Sequence, residues 1–128
     1  MSTRSTIGYV EDEKLYQVYC HFDGYISWNG SRLVNFYNSL EKVKELLSYG
    51  HISSLEKTIE KSKFYHRDRE EDLEQLTVST FSGKTLTGFV PEWQEEFDYI
   101  FFNNSWYVFD IDIEKWKRLT PNIVKLYN

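Results

Sequence analysis

Residues 18–25 read VYCHFDGY and bring a thiol, an imidazole, a carboxylate and two phenols into eight positions. His21 and Asp23 stand two apart, and the same His-x-Asp spacing returns at His66 and Asp68. On an extended backbone, side chains at i and i+2 point the same way. Each pair then offers one nitrogen and one oxygen to a metal ion, or an imidazole with a carboxylate to orient it for proton transfer. Two such pairs brought together would suit Zn, Mn or Fe. A two-residue spacing of common residues is no distinctive ligand pattern, however, and arises easily by chance, so solvent-exposed or structural hydrogen bonding is the better account. No metal and no cofactor is therefore expected.

The remaining chemistry-bearing residues have structural readings beside their functional ones. Cys20 is the chain's one cysteine and reads as a small buried apolar group, with no visible neighbour to lower its pKa. Asp23-Gly24 reads as a turn in which the aspartate bonds local N–H groups and the glycine takes positive φ. His51 follows Gly50 at a helix end, a loop or capping position. Arg67 and Arg69 lie beside Asp68, Glu70 and Glu71, which invites local pairing. The HRD triplet at 66–68 has Leu73 where a kinase catalytic loop needs asparagine. The SGKT at 82–85 has Val78 where a phosphate-binding loop needs its first glycine. The set left as a candidate recognition surface is Arg4, His21, Asp23, Tyr25, His66 and Arg67. Guanidinium, imidazole, carboxylate and phenol together can read an anionic small molecule or a partner's polar groups.

Composition narrows the function classes. The 128 residues fit one domain, residues 1–128, with 41% hydrophobic and 18% aromatic residues and enough chain to bury a sizeable core. Net charge is −5 and no basic face concentrates, which argues against direct nucleic-acid binding. The charge is also too small to imitate DNA. A single cysteine excludes an intrachain disulfide and a cysteine-rich zinc site. The N-terminus lacks an apolar stretch of signal-peptide length, and no run approaches the roughly 20 apolar residues of a bilayer span. A reducing cytoplasm and no membrane association are expected.

The elements that must position these residues follow from periodicity. STIGYV and KLYQVYCHF form two β-rich runs around an acidic EDE turn, a hairpin. In the second run Tyr16, Val18, Cys20 and Phe22 share the face expected in the core, which leaves His21 on the less buried side. SRLVNFYNS and SLEKVKELLSYG carry helical spacing, the latter with Ser39 as N-cap, an apolar face of Leu40, Val43, Leu46 and Leu47, and Gly50 as the stop. SSLEKTIEKS suits a short third helix or a turn. Residues 63–89 read as a long loop with short extended pieces. DYIFFNNSWYVFDID is a second hairpin around Asn103-Asn104, and Trp116, Leu119, Ile123 and Leu126 in the tail can pack back on the sheet. The expected fold is α+β: an antiparallel β-sheet built from two hairpins, with two or three helices packed on one face.

The segments MSTRSTIGYV, VYCHFDGY, Gly30-x-x-Leu33-x-x-x-Tyr37, EKVKELLSYGHISSL and YHRDR, in this order over roughly residues 1–70, resemble a small uncharacterised family of bacteriophage and bacterial mobile-element proteins. Relatives usually carry tryptophan at the position of Phe22 and often a proline after that of Tyr25, where this chain has Ile26. The resemblance implies a phage or prophage accessory protein in the bacterial host cytoplasm. Such a protein would bind and inhibit or redirect a host or bacterial-defence factor. The alternative is a binder of a small anionic ligand, a nucleotide or phosphate, or an enzyme using the His21/Asp23 and His66/Asp68 pairs. A structural phage component ranks third, since no repeat or long assembly segment is present.

Overall fold

A computed structural model describes residues 2–74 and 76–127. The first hairpin joins β1 (Ser5–Glu11) to β2 (Lys14–Cys20). Asp12 and Glu13, the two residues between them, both take positive φ, the twist a two-residue hairpin requires. A π-helical turn (Ile26–Gly30) then runs into α1 (Ser31–Phe36), followed by α2 (Leu40–Leu47) and the short strands β3 (Ile52–Ser54) and β4 (Lys63–Phe64). After them come α3 (Tyr65–Arg69) and β5 (Thr77–Thr80). The second hairpin pairs β6 (Phe97–Phe102) with β7 (Ser105–Asp110) around Asn103 and Asn104, again both at positive φ. β8 (Lys115–Leu119) pairs antiparallel with β7, and α4 (Pro121–Val124) ends the described order together with a 3₁₀ turn.

The sheet order is β4-β3-β2-β1-β6-β7-β8, with β5 alongside the first half of β2. Both expected hairpins are present, and the fold is α+β, but the sheet is mixed instead of antiparallel throughout. β1 runs parallel to β6, and β2 touches β3 in parallel. Short turns dictate antiparallel pairing only inside each hairpin. The long segment between the hairpins is free to bring β6 in along β1, and it does so with the same direction.

One face of the sheet carries the helices. Ile7, Tyr9, Val18, Cys20, Tyr99, Phe101, Trp106 and Val108 pack against Leu33 and Val34 of α1 and Val43, Leu46 and Leu47 of α2. Ser39 caps α2 as expected, its Oγ accepting from Lys42 N–H at 3.2 Å. In α1 Val34 faces inward, while Phe36 points outward. The Trp106 indole N–H donates to Tyr37 C=O at 2.9 Å and pins the end of α1 to the sheet.

The opposite face is covered as well, and this the periodicity did not show. Residues 81–96, without regular structure, lay Phe81 and Leu86 over Leu15 and Ile100. Leu15 and Gln17 are therefore buried on the face expected to be the open one. Val18 and Cys20 are fully buried as expected, but Phe22 lies beyond the end of β2 and is 44% exposed. The tail differs too: Lys115–Leu119 is an edge strand, Leu119 and Val124 are buried, and Leu126 is exposed.

Candidate functional site

The VYCHFDGY stretch divides into a structural half and an accessible half. β2 ends at Cys20, and the chain continues beside β3 through His21 N–H to Ile52 C=O and Phe22 N–H to Ser53 C=O, each 3.0 Å. Asp23, and not Gly24, takes the positive φ, at 58°. Gly24 is required by proximity: a Cβ there would stand 2.8 Å from Thr3 C=O and 2.9 Å from Ser5 Cβ. Its N–H donates to Thr3 C=O at 2.8 Å and its carbonyl accepts from the buried Tyr99 hydroxyl at 2.6 Å. Asn29, fully buried, sends its Nδ2 toward Ser5 Oγ, Cys20 Sγ and Phe22 C=O. Burial pushes the Cys20 thiol up to about 12, with the Asn29 hydrogen bond acting against it, so it stays protonated and unreactive at neutral pH.

The accessible half opens on a cleft of about 600 Å³ lined by Tyr19, His51, Tyr65, His66 and the segment Glu70–Glu74. All three histidines of the chain gather at or beside it. The Tyr19 hydroxyl and His21 Nδ1 are 2.6 Å apart. His51 Nδ1 accepts from Tyr19 N–H at 3.0 Å, which places the ring proton on Nε2, 2.9 Å from Glu74 Oε2. The reason lies in the sheet edge. β5 covers β2 only as far as Gln17 and β3 meets it at Cys20, so the outward N–H of Tyr19 falls in the gap and His51 supplies its acceptor. His66 Nδ1 lies 2.8 Å from Glu71 C=O. Donation to that carbonyl leaves the Nε2 lone pair for the cleft. Burial raises the Tyr19 phenol, with the Arg4 charge opposing it.

The wall opposite the two tyrosines is acidic. Glu70, Glu71, Asp72 and Glu74 line it; Arg69 pairs with Glu71 at 3.3 Å and His51 contacts Glu74. Glu70 and Asp72 make no ion pair among the described residues. Such a wall repels an anion and suits an ammonium or guanidinium group; the chain's own Arg69 already lies 5.1 Å over the Tyr65 ring.

The six candidate residues are placed in three groups. Arg4, His21 and His66 come to the surroundings of Tyr19. Asp23 and Tyr25 sit together on the exposed surface, the Tyr25 hydroxyl donating to Asp23 Oδ1 at 2.9 Å, and this bond holds the phenol above its ordinary value. Arg67 turns away from the cleft. Its guanidinium donates to Ile59, Glu60 and Ser62 carbonyls, pairs with Asp68 and lies over the Phe64 ring. Arg67 in turn holds the Asp68 carboxyl below its ordinary value, and Asp68 Oδ2 accepts from Phe64 N–H.

Neither His-x-Asp pair forms a joint donor set. His66 and Asp68 lie in the helical α3, where i and i+2 diverge, and the positive φ at Asp23 turns its side chain from the direction of His21. Among the described residues no three His, Cys, Asp or Glu side chains converge to hold a metal ion. His51, Tyr19, Tyr65 and Glu70–Glu74 were not singled out by spacing; the aromatic-histidine pair Tyr65-His66 leading into an acidic run was the available signal.

A second polar cluster is sealed between the sheet and residues 91–96. Gln17 Nε2 donates to Thr6 Oγ1 at 3.2 Å, and Thr6 Oγ1 donates to Asp98 Oδ1 at 2.6 Å. Glu95 N–H donates to the same oxygen at 3.0 Å. Asp98 is fully buried, its Oδ2 has no partner, and burial raises the carboxyl to about 6.

No family model matches this chain, and no curated protein or solved structure matches it significantly.

Proposed function

We propose that this protein is a non-catalytic binding protein that captures a basic segment of a partner protein in the Tyr19–Tyr65–His66 cleft. The observation that carries the reading is the cleft itself, two tyrosines and two histidines sharing it with four carboxylates, and His21 hydrogen-bonded to one of the tyrosines. Phe22 and Tyr25, both well exposed on the same stretch of chain as Tyr19 and His21, add apolar contact of the kind that dominates protein interfaces. The inert thiol of Cys20 removes the one sulfur nucleophile. No helix among the described residues is long and apolar enough to cross a membrane.

With the phage and mobile-element resemblance as support, the proposed partner is a host or bacterial-defence factor in the bacterial cytoplasm, which the protein would inhibit or redirect. Factors that handle nucleic acid carry basic faces, and an acidic cleft on a chain of net charge −5 complements one such segment. A small anionic ligand at Arg4, His21 and His66 fits less well, because four carboxylates line the cleft that His66 enters. The anchored His66 ring favours one second reading, acid–base work on a small cationic substrate. Selection of a random peptide-display library on the immobilised protein separates these readings. Enrichment of lysine or arginine beside aromatic residues, abolished by Glu70→Lys with Asp72→Lys, is the expected result. Enrichment of acidic peptides, or none, would overturn it.

A further inference from the structure

A different cleft, of about 590 Å³, lies on the face that residues 81–96 cover, between the Lys84–Gly88 loop, the β6–β7 turn and β8. Its chemistry is opposite to that of the acidic cleft. Phe102, Tyr107 and Trp116, each half-buried, form an aromatic wall. The Trp116 indole is held by donation of its N–H to Phe89 C=O at 2.8 Å and by the Phe109 ring 5.0 Å away. Lys84, Lys115, Thr85 and Thr87 supply two ammonium groups and two hydroxyls, against one carboxylate, Glu114. Neither lysine makes an ion pair among the described residues, and Arg118, directly across from Tyr107 on the paired strand, makes none either. Two ammonium groups thus stand beside a fixed aromatic wall with a single carboxylate for company. Gly88 at φ 77°, with nothing within 4 Å of a built Cβ, leaves that side of the loop open.

We propose that this cleft binds a nucleoside monophosphate, its base against Trp116 and Tyr107 and its phosphate between Lys84 and Lys115. Stacking on tryptophan tolerates any base, because each has a π-face. Ammonium groups and hydroxyls supply charge-assisted hydrogen bonds to the phosphate oxygens. The volume lies within the range of small-molecule sites. A long polyanion is disfavoured by the net negative charge, so the free nucleotide is the ligand and not a nucleic-acid strand. The SGKT sequence contributes through Lys84 and Thr85 as side chains, without the glycine geometry of a phosphate-binding loop.

Isothermal titration of the full chain with AMP, GMP, CMP and UMP tests the site, with adenosine, inorganic phosphate and a short single-stranded oligonucleotide as separate arms. Saturable binding of at least one nucleotide is expected at or below about 1 mM. Adenosine and phosphate should each bind at least about tenfold more weakly than the nucleotide, and Lys84→Ala with Lys115→Ala should weaken it by a similar factor at unchanged Tm. Glu70→Lys with Asp72→Lys should leave it intact, which keeps the test separate from the protein-binding reading. The proposal is overturned by no saturable binding, by phosphate binding as tightly as nucleotide, by an unaffected lysine double variant, or by the oligonucleotide binding more tightly than any mononucleotide.

Discussion

Asp98 is the residue whose environment most plainly opposes its charge. One oxygen accepts from Thr6 and Glu95, and the other meets nothing. Because its carboxyl stands near 6 in the folded chain against 3.8 ordinarily, the native state keeps a proton that the unfolded chain releases. Stability therefore falls as pH rises from about 4 through about 6, and the loss persists above that window. Asp98→Asn keeps an oxygen for Thr6 and Glu95 while removing the buried charge. It should raise stability at pH 8 by on the order of 2 kcal/mol and change little at pH 4. Denaturant titration at the two pH values checks this; an asparagine variant less stable than the wild type at pH 8 would contradict it. Nothing in the local sequence FDYIFF marks Asp98 as buried, because the cover comes from residues 91–96, which carry no periodic signal. Cys20 was legible by contrast, since its alternation with Val18 and Tyr16 already put it in the core.

At the scale of elements, Arg67 shows how a residue with recognition chemistry can be absorbed by the fold. It gathers three carbonyls of residues 59–62 and fastens that irregular segment to α3. Lysine cannot reproduce the planar fork. Arg67→Lys should then lower stability by about 1–3 kcal/mol, while binding at the acidic cleft is retained in the folded fraction. Thermal melts beside a peptide-binding assay separate the two effects, and a variant of unchanged Tm would contradict the structural role. Sequence periodicity identified both hairpins, the cap and apolar face of α2, and local pairing around Arg67 and Arg69. It missed α3 and the β7–β8 pairing, because five residues are too few for a helical period and KWKRL is an edge strand with little alternation. The reading of His66 and Asp68 as an extended pair failed with α3, since a helical backbone separates what an extended one aligns.

The whole molecule is a sheet covered on both faces, with its three histidines near Tyr19 and the Lys84–Lys115 cleft by the β6–β7 turn. Turn chemistry predicted the strands within each hairpin. It carried no information about how the hairpins meet, and they meet in parallel. The convergence of His21, His51 and His66 near Tyr19 is likewise a product of tertiary pairing: the gap between β5 and β3 along β2 creates the place that His51 fills. The acidic cleft is assembled from Tyr19, His51 and the Tyr65–Glu74 segment; its acidic run is contiguous in the sequence, but the tertiary pairing that sets it beside Tyr19 and His51 is not legible there. Its use in capturing a basic partner is tested most directly by affinity capture from bacterial host lysate with mass spectrometry of the recovered proteins. Wild type is compared with Glu70→Lys/Asp72→Lys and with His21→Ala/Tyr25→Ala. A discrete bacterial protein with a basic segment is expected, retained by the wild type, lost from both variants, and released by raised salt, while both variants melt cooperatively near the wild-type Tm. Equal recovery by all three folded proteins would contradict it.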